Sequence, residues 1–231
     1  GAEFTDEWES YMQNEGIEKQ RRELYRKRDD YKQSLGAFAW EQSEDSHSDF
    51  FTGNKAVDWL ENYKSDQPFF LEIGFPGPHP PYDPVPSFLK LYDEVHIPIA
   101  EVLESDLDDQ PRALKALRQH NADIDHDSIV HQLDPSDEAR RRQRKHYLAN
   151  VTMIDHALGK ISGCLKKNNL SDNTIVIFTS DHGDCLTDHG HSQKWTMYEQ
   201  ITRVPLIFSG SSIQENSRVS ELVQWMDIGP T

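Results

Sequence analysis

Residues 174–210 read TIVIFTSDHGDCLTDHGHSQKWTMYEQITRVPLIFSG. A short apolar, β-branched run over 174–179 is followed at once by Ser180-Asp181-His182-Gly183. A polar loop then leads to Lys194, and a second apolar run covers 204–208. Short apolar runs bounded by turn residues are the signature of buried strands. In open α/β sheets ligands bind beyond the carboxyl ends of strands, and Asp181 and His182 fall at such an end. Aspartate supplies a hard anionic oxygen and histidine a borderline nitrogen. That mixture suits Ca²⁺, Mn²⁺, Mg²⁺ or Zn²⁺ without selecting among them. A lysine shortly after can neutralise an oxyanion as charge develops in a displacement. The stretch points to ester hydrolysis at a metal. A bare Asp-His pair is more often a polar turn, so the surrounding segments decide its meaning.

Just upstream, residues 136–168 carry Tyr147, Leu148, Val151, Ile154, Leu158, Ile161 and Leu165 on one stripe at helical spacing. Asn168-Asn169 ends that helix. Long helix, strand, loop, strand favours an α/β sandwich with covered sheet faces. Further upstream, 69–74 is another apolar run, read as a buried strand. It leads into 76–86, where six prolines remove backbone donors and exclude regular structure. His79 sits in that loop, in Pro76-Gly77-Pro78-His79-Pro80-Pro81-Tyr82. Stiffened by its neighbours, its imidazole could protonate a leaving alkoxide.

Elsewhere the pattern is weaker. Residues 5–33 read as a charged helix broken near Gly16, and Thr52 as the N-cap of a helix carrying Ala56, Val57, Trp59 and Leu60. Residues 93–134 read as an irregular acidic insertion with a short helix at 113–117. Asp184, Asp188, His189 and His191 crowd the loop after His182 and read as rim or supporting residues. Cys185 reads as a small apolar plug. His47, His96, His120, His126, His131, His146 and His156 show no partner pattern.

The chain has 231 residues, 35% of them hydrophobic, enough for one core. Lys plus Arg number 24 against 40 Asp plus Glu, for a net charge of -16. That balance disfavours nucleic acid and anionic membranes as partners, while a metal and a lysine can still reverse the sign locally for an anionic substrate. No apolar run is long enough to span a membrane. The two cysteines, Cys164 and Cys185, form no zinc-type pair and no disulfide framework.

Taken together, these segments resemble the sulfatase family of the alkaline phosphatase superfamily. Ser180-Asp181-His182-Gly183-Asp184, Asp188-His189-Gly190, Lys194 and Arg203-Val204-Pro205-Leu206-Ile207 are similar in order and spacing to the family's downstream metal motif. Pro68-Phe69-Phe70-Leu71 with Phe75-Pro76-Gly77-Pro78-His79-Pro80-Pro81-Tyr82 resembles its mid-chain strand and histidine loop. Residues 147–159, ending Met153-Ile154-Asp155-His156-Ala157-Leu158-Gly159, resemble the helix before the metal strand. Asp227-Ile228-Gly229-Pro230-Thr231 resembles the segment that closes the catalytic core.

The resemblance implies an alkaline-phosphatase-like mixed sheet sandwiched by helices. Residues 1–231 would be the central and C-terminal part of one catalytic domain. It implies that Asp181 and His182 are metal ligands, although many members carry Asn where His182 stands. Lys194 would contact the sulfate, and His79 the sulfate ester or its leaving group. The metal implied is Ca²⁺, with Mn²⁺ or Zn²⁺ as substitutes. The implied nucleophile is a formylglycine made from Cys or Ser in a Cys/Ser-x-Pro-x-Arg motif. Neither cysteine and no serine here fits that motif. The family's upstream acidic metal pair and its Lys-Trp-His segment are also missing. The expectation is an internal fragment whose nucleophile lies upstream, and which does not turn over substrate alone. The parent would hydrolyse a sulfate ester. Two other readings stay open: a phosphonate monoester or phosphodiester hydrolase of the same superfamily, and a non-catalytic metal-binding relative. Periplasmic, secreted and lysosomal locations are all compatible with the resemblance, and oligomeric state has no signal.

Overall fold

The computed structural model describes residues 6–18 and 22–231. α1 (Glu7–Asn14) is capped by Asp6, whose carboxylate accepts from Glu9 N. α2 is a short helix, Arg22–Arg26. Of the helix expected over 5–33, positions 5 and 19–21 lie outside the described residues. Residues 27–36 form turns instead of helix. The turns let Tyr25, Tyr31 and Phe38 gather in one cluster, with the Tyr25 and Phe38 rings 4.2 Å apart. Two tyrosines six positions apart would face different ways on a continuous helix.

α3 (Ser48–Asn62) begins four residues before the expected Thr52 cap. His47 holds the cap position, its ring accepting from Asp49 N. The helix crosses α7 (Asp137–Lys167), the longest element described. Gly53 permits the approach, because a Cβ there would sit 2.9 Å from the Ala157 Cβ. Ala56 and Leu60 then bury against Ile161, Cys164 and Leu165. Each fully buried aliphatic side chain of this kind contributes roughly 1.5–3 kcal/mol. α7 has the expected bounds, with Ser136 as N-cap and Asn168 as C-cap. Its buried stripe matches the expected one at Ile154, Ile161 and Leu165 but differs elsewhere, since Val151 is exposed while Ala149, Met153 and Ala157 are buried. In its first half two buried polar side chains, Gln143 and His146, hold the 35–38 segment. Gln143 Nε2 donates to Leu35 O at 3.0 Å, and His146 Nδ1 lies 2.6 Å from Phe38 O.

Between α3 and α7, Phe69, Leu71, Ile73 and Phe75 pack on the α3/α7 cluster while Phe70 points to solvent. This is the period-two alternation of a strand, but no ladder partner pairs with it among the described residues. α4 (Pro86–Leu89) starts on a proline, whose missing N–H costs nothing at a first helical position. α5 (Glu104–Asp108) and α6 (Arg112–Asp123) follow, so the helix expected at 113–117 is longer.

After α7 comes β1 (Val176–Thr179), then α8 (Glu199–Thr202) and β2 (Leu206–Ser209). β1 and β2 pair antiparallel, with Val176 opposite Ser209 and Thr179 opposite Leu206. Val176 packs into the α3/α7 cluster. Ile177 and Ile207 stay 40% and 56% exposed, so the expected cover on the sheet is only partial here. The architecture is helix packed on sheet, an α/β arrangement. No helix among the described residues is long and apolar enough to cross a membrane.

Candidate active site

β1 delivers the chain to Ser180, and the next two side chains converge. Asp181 Oδ1 accepts from His182 N at 2.9 Å, and Asp181 Oδ2 lies 3.4 Å from His182 Nε2. His182 Nδ1 is 2.8 Å from Gly183 O, which assigns its proton to Nδ1 and leaves a lone pair on Nε2. Two atoms so placed can share a cation or a proton. With side chains 73% and 31% exposed, both are reachable from solvent. The next residue must be glycine. A Cβ at Gly183 would fall 1.9 Å from Gln200 O, and Gly183 N donates to Ile201 O at 2.8 Å.

Asp184 organises the surroundings. Its Oδ2 accepts from Tyr82 Oη at 2.6 Å, and its Oδ1 from Leu186 N at 2.9 Å and Gln193 N at 3.0 Å. Burial pushes its pKa up, against the pull of those three donors. One carboxylate thereby ties the His182 turn to the backbone beside Lys194 and to the proline-rich loop of His79. Lys194 itself is half-buried, with no hydrogen bond or ion pair to another described residue.

His79 Nδ1 is 2.8 Å from Pro80 O, so its Nε2 faces outward, 3.8 Å from Asp127 Oδ2. Asp127 belongs to a turn in which it and Ser128 take left-handed φ values of 51° and 67°. The same turn meets the lysine loop. Gln193 Nε2 donates to His126 O at 3.0 Å, and the His126 and Trp195 rings are 5.3 Å apart. The structure thus joins Asp181 directly to His182. It links His79 and Lys194 to that pair through Asp184, Tyr82 and the 126–129 turn. Among the described residues, no hydrogen bond or ion pair joins His79 or Lys194 to Asp181 or His182.

The loop between His182 and Lys194 is strained. Leu186, Thr187, His189 and Gln193 all have left-handed φ, which for a β-branched residue such as Thr187 costs about 1–3 kcal/mol. Arg140 Nε holds Thr187 Oγ1 at 3.0 Å, and Arg144 pairs with Asp188. Asp188 and His191 are buried, the latter against Gln110 at 2.9 Å, so neither is a solvated rim residue. His189 stacks on Tyr198, ring centres 4.0 Å apart, and meets Asp106 at 3.0 Å. Cys185 is fully buried, and burial pushes its thiol up to about 11, which suits a plug and not a nucleophile. Tyr82, Asp49, Asp83 and the 126–129 turn are supporting elements that sequence reading missed. Their partners lie 28 to 102 positions away, beyond any local pattern.

A family model described as Sulfatase matches residues 4–231. The chain belongs to the sulfatase family. It is 28% identical over 196 residues to an arylsulfatase of Clostridium perfringens, covering 83% of this chain and 39% of that protein. It is 32% identical over 189 residues to arylsulfatase K of Rattus norvegicus, covering 79% and 33% respectively. This sulfatase-family chain therefore spans well under half the length of those relatives. Its fold is similar to that of a phosphonate monoester hydrolase from Silicibacter pomeroyi. There the TM-score is 0.69 at 22% identity, over 90% of this chain and 42% of that one. Membership of the family implies use of a metal and a formylglycine in general terms.

Proposed function

We propose that residues 1–231 are the central and C-terminal part of the catalytic domain of a metal-dependent sulfuric ester hydrolase. The observation that carries this reading is the facing pair of Asp181 Oδ2 and His182 Nε2, 3.4 Å apart and open to solvent. The donor set fits a divalent cation. Gly183 O fixes the tautomer that leaves Nε2 free, and the carboxylate supplies a hard oxygen beside it. Two donors are only part of a coordination shell, and no group of three or more candidate ligands forms among the described residues. The ion of choice is Ca²⁺, with Mn²⁺ or Zn²⁺ as substitutes. When bound, such an ion polarises the ester oxygens and lowers the cost of the attacking charge.

The remaining roles belong to the chain's own side chains. Lys194, without a hydrogen-bond or ion-pair partner among the described residues and held next to Gln193, would face the sulfate and neutralise charge in the transition state. His79, with Nδ1 tied to Pro80 O, would present Nε2 to the leaving oxygen, and Asp127 would steady the protonated ring. Asp184 would keep the three segments in register. The nucleophile is assigned to none of these residues; a formylglycine elsewhere in the protein would supply it.

The test is hydrolysis by the full-length protein of an aryl sulfate against an aryl phosphonate monoester with the same leaving group. A higher kcat/KM on the sulfate is expected. A higher value on the phosphonate would move the assignment to that class of hydrolase. No turnover of either by metal-loaded, formylglycine-containing protein would overturn the enzymatic reading.

A further inference from the structure

A buried ionisable cluster lies behind the proline-rich loop. Asp49, in the first turn of α3, has no solvent exposure, and His47 before it has 3%. Asp49 Oδ1 accepts from Gly77 N at 2.9 Å. The loop backbone lies so close that a Cβ at Gly77 would sit 2.3 Å from Asp49 Oδ2, so a side chain there would displace that carboxylate. His47 Nδ1 accepts from Asp49 N at 3.2 Å, which places the His47 proton on Nε2. That nitrogen lies 3.7 Å from Asp83 Oδ1, an ion-pair distance, and Asp83 Oδ2 accepts from Tyr25 Oη at 2.6 Å. Gly77 and Asp83 bracket His79. Both ends of the loop therefore rest on two residues of one turn, His47 and Asp49.

We propose that Asp49, with His47, is a positioning residue that clamps the 77–83 loop and sets where the His79 imidazole points. This rests on the reading of His79 as the group at the leaving oxygen. The acceptor at position 49 is what matters, because Gly77 N has no other partner among the described residues and a buried N–H left unsatisfied is costly.

Two readouts in the full-length protein test the clamp. The first is backbone amide exchange at Gly77. Strong protection is expected in the wild type, its loss in Asp49→Ala, and its retention in Asp49→Asn, which keeps the acceptor oxygen. Fast exchange at Gly77 in the wild type would overturn the proposal even if no variant folds. The second is kcat/KM for a series of aryl sulfates. Asp49→Ala should lose about tenfold to a hundredfold on poor leaving groups, and less on activated ones, with metal content unchanged. Asp49→Asn should recover most of that loss. His79→Ala is measured alongside. If His79→Ala is silent, the role of His79 is wrong, and the exchange result still decides the clamp. If His79→Ala is impaired while Asp49→Ala matches wild type, the clamp is wrong.

Discussion

Tyr82→Phe probes the knot at Asp184 with the smallest possible change. Tyr82 is completely buried, and its hydroxyl is 2.6 Å from Asp184 Oδ2. The substitution removes one hydrogen bond to a carboxylate and leaves the ring packed edge-on to Tyr147, with centres 5.9 Å apart. Asp184 keeps Leu186 N and Gln193 N, so its other oxygen is not orphaned. A hydrogen bond to a charged group is worth about 1.5–3 kcal/mol. For a domain of this size, each kcal/mol moves Tm by roughly 2–4 °C. The expected fall is therefore about 3–12 °C in thermal unfolding followed by circular dichroism. A double-mutant cycle with Asp184→Asn should return a coupling energy above about 0.5 kcal/mol, since the two side chains touch. A Tm within 1 °C of wild type (roughly 0.3 kcal/mol,), or a cycle that closes to zero, would refute the idea that this contact fastens the histidine loop to the metal turn.

Three further outcomes follow from the same geometry. Lys194→Ala should lower turnover by about 10²- to 10³-fold with metal content and Tm kept; unchanged kinetics would remove the lysine from the site. His79→Ala should cost about 10²- to 10⁴-fold on poor leaving groups and much less on activated aryl esters, and equal losses on both would argue against proton donation. Burial holds His131, His146 and His191 down to about 4. The folded chain then binds fewer protons than the unfolded chain between about pH 4 and 6.5, so the stability these groups contribute is present above that window and lost as pH falls through it. Asp49, whose pKa burial raises, opposes part of this slope. Denaturant melts of His146→Gln across that window should show a shallower pH dependence than wild type, and an unchanged slope would contradict the shift.

Much of the fold is written in short-range patterns. Ser136 and Asn168 mark the ends of α7 because caps leave a local signature, and the apolar runs before Ser180 and after Arg203 both become strands. Residues 69–75 show the limit of such patterns. Alternation reveals which side chains turn inward, but a ladder requires a partner that alternation cannot name. Thr52 has the chemistry of a cap, whereas His47 takes that place because its ring accepts from Asp49 N. In the site, Asp181 and His182 are adjacent and thus legible together. Tyr82 and Asp184, 102 positions apart, are not. The stripe on α7 is legible only in part for a related reason: Ile154, Ile161 and Leu165 are buried as expected, but Gln143 and His146 are buried as polar partners of distant backbone, which hydrophobic spacing does not register.

The central claim is that Asp181 and His182 hold the catalytic ion. Elemental analysis of the purified full-length protein and its Asp181→Ala variant, with sulfate-ester hydrolysis measured on the same samples, tests it most directly. Bound metal in the wild type, with metal and activity lost together in a folded variant, is the predicted result. A variant that keeps wild-type metal content would contradict it.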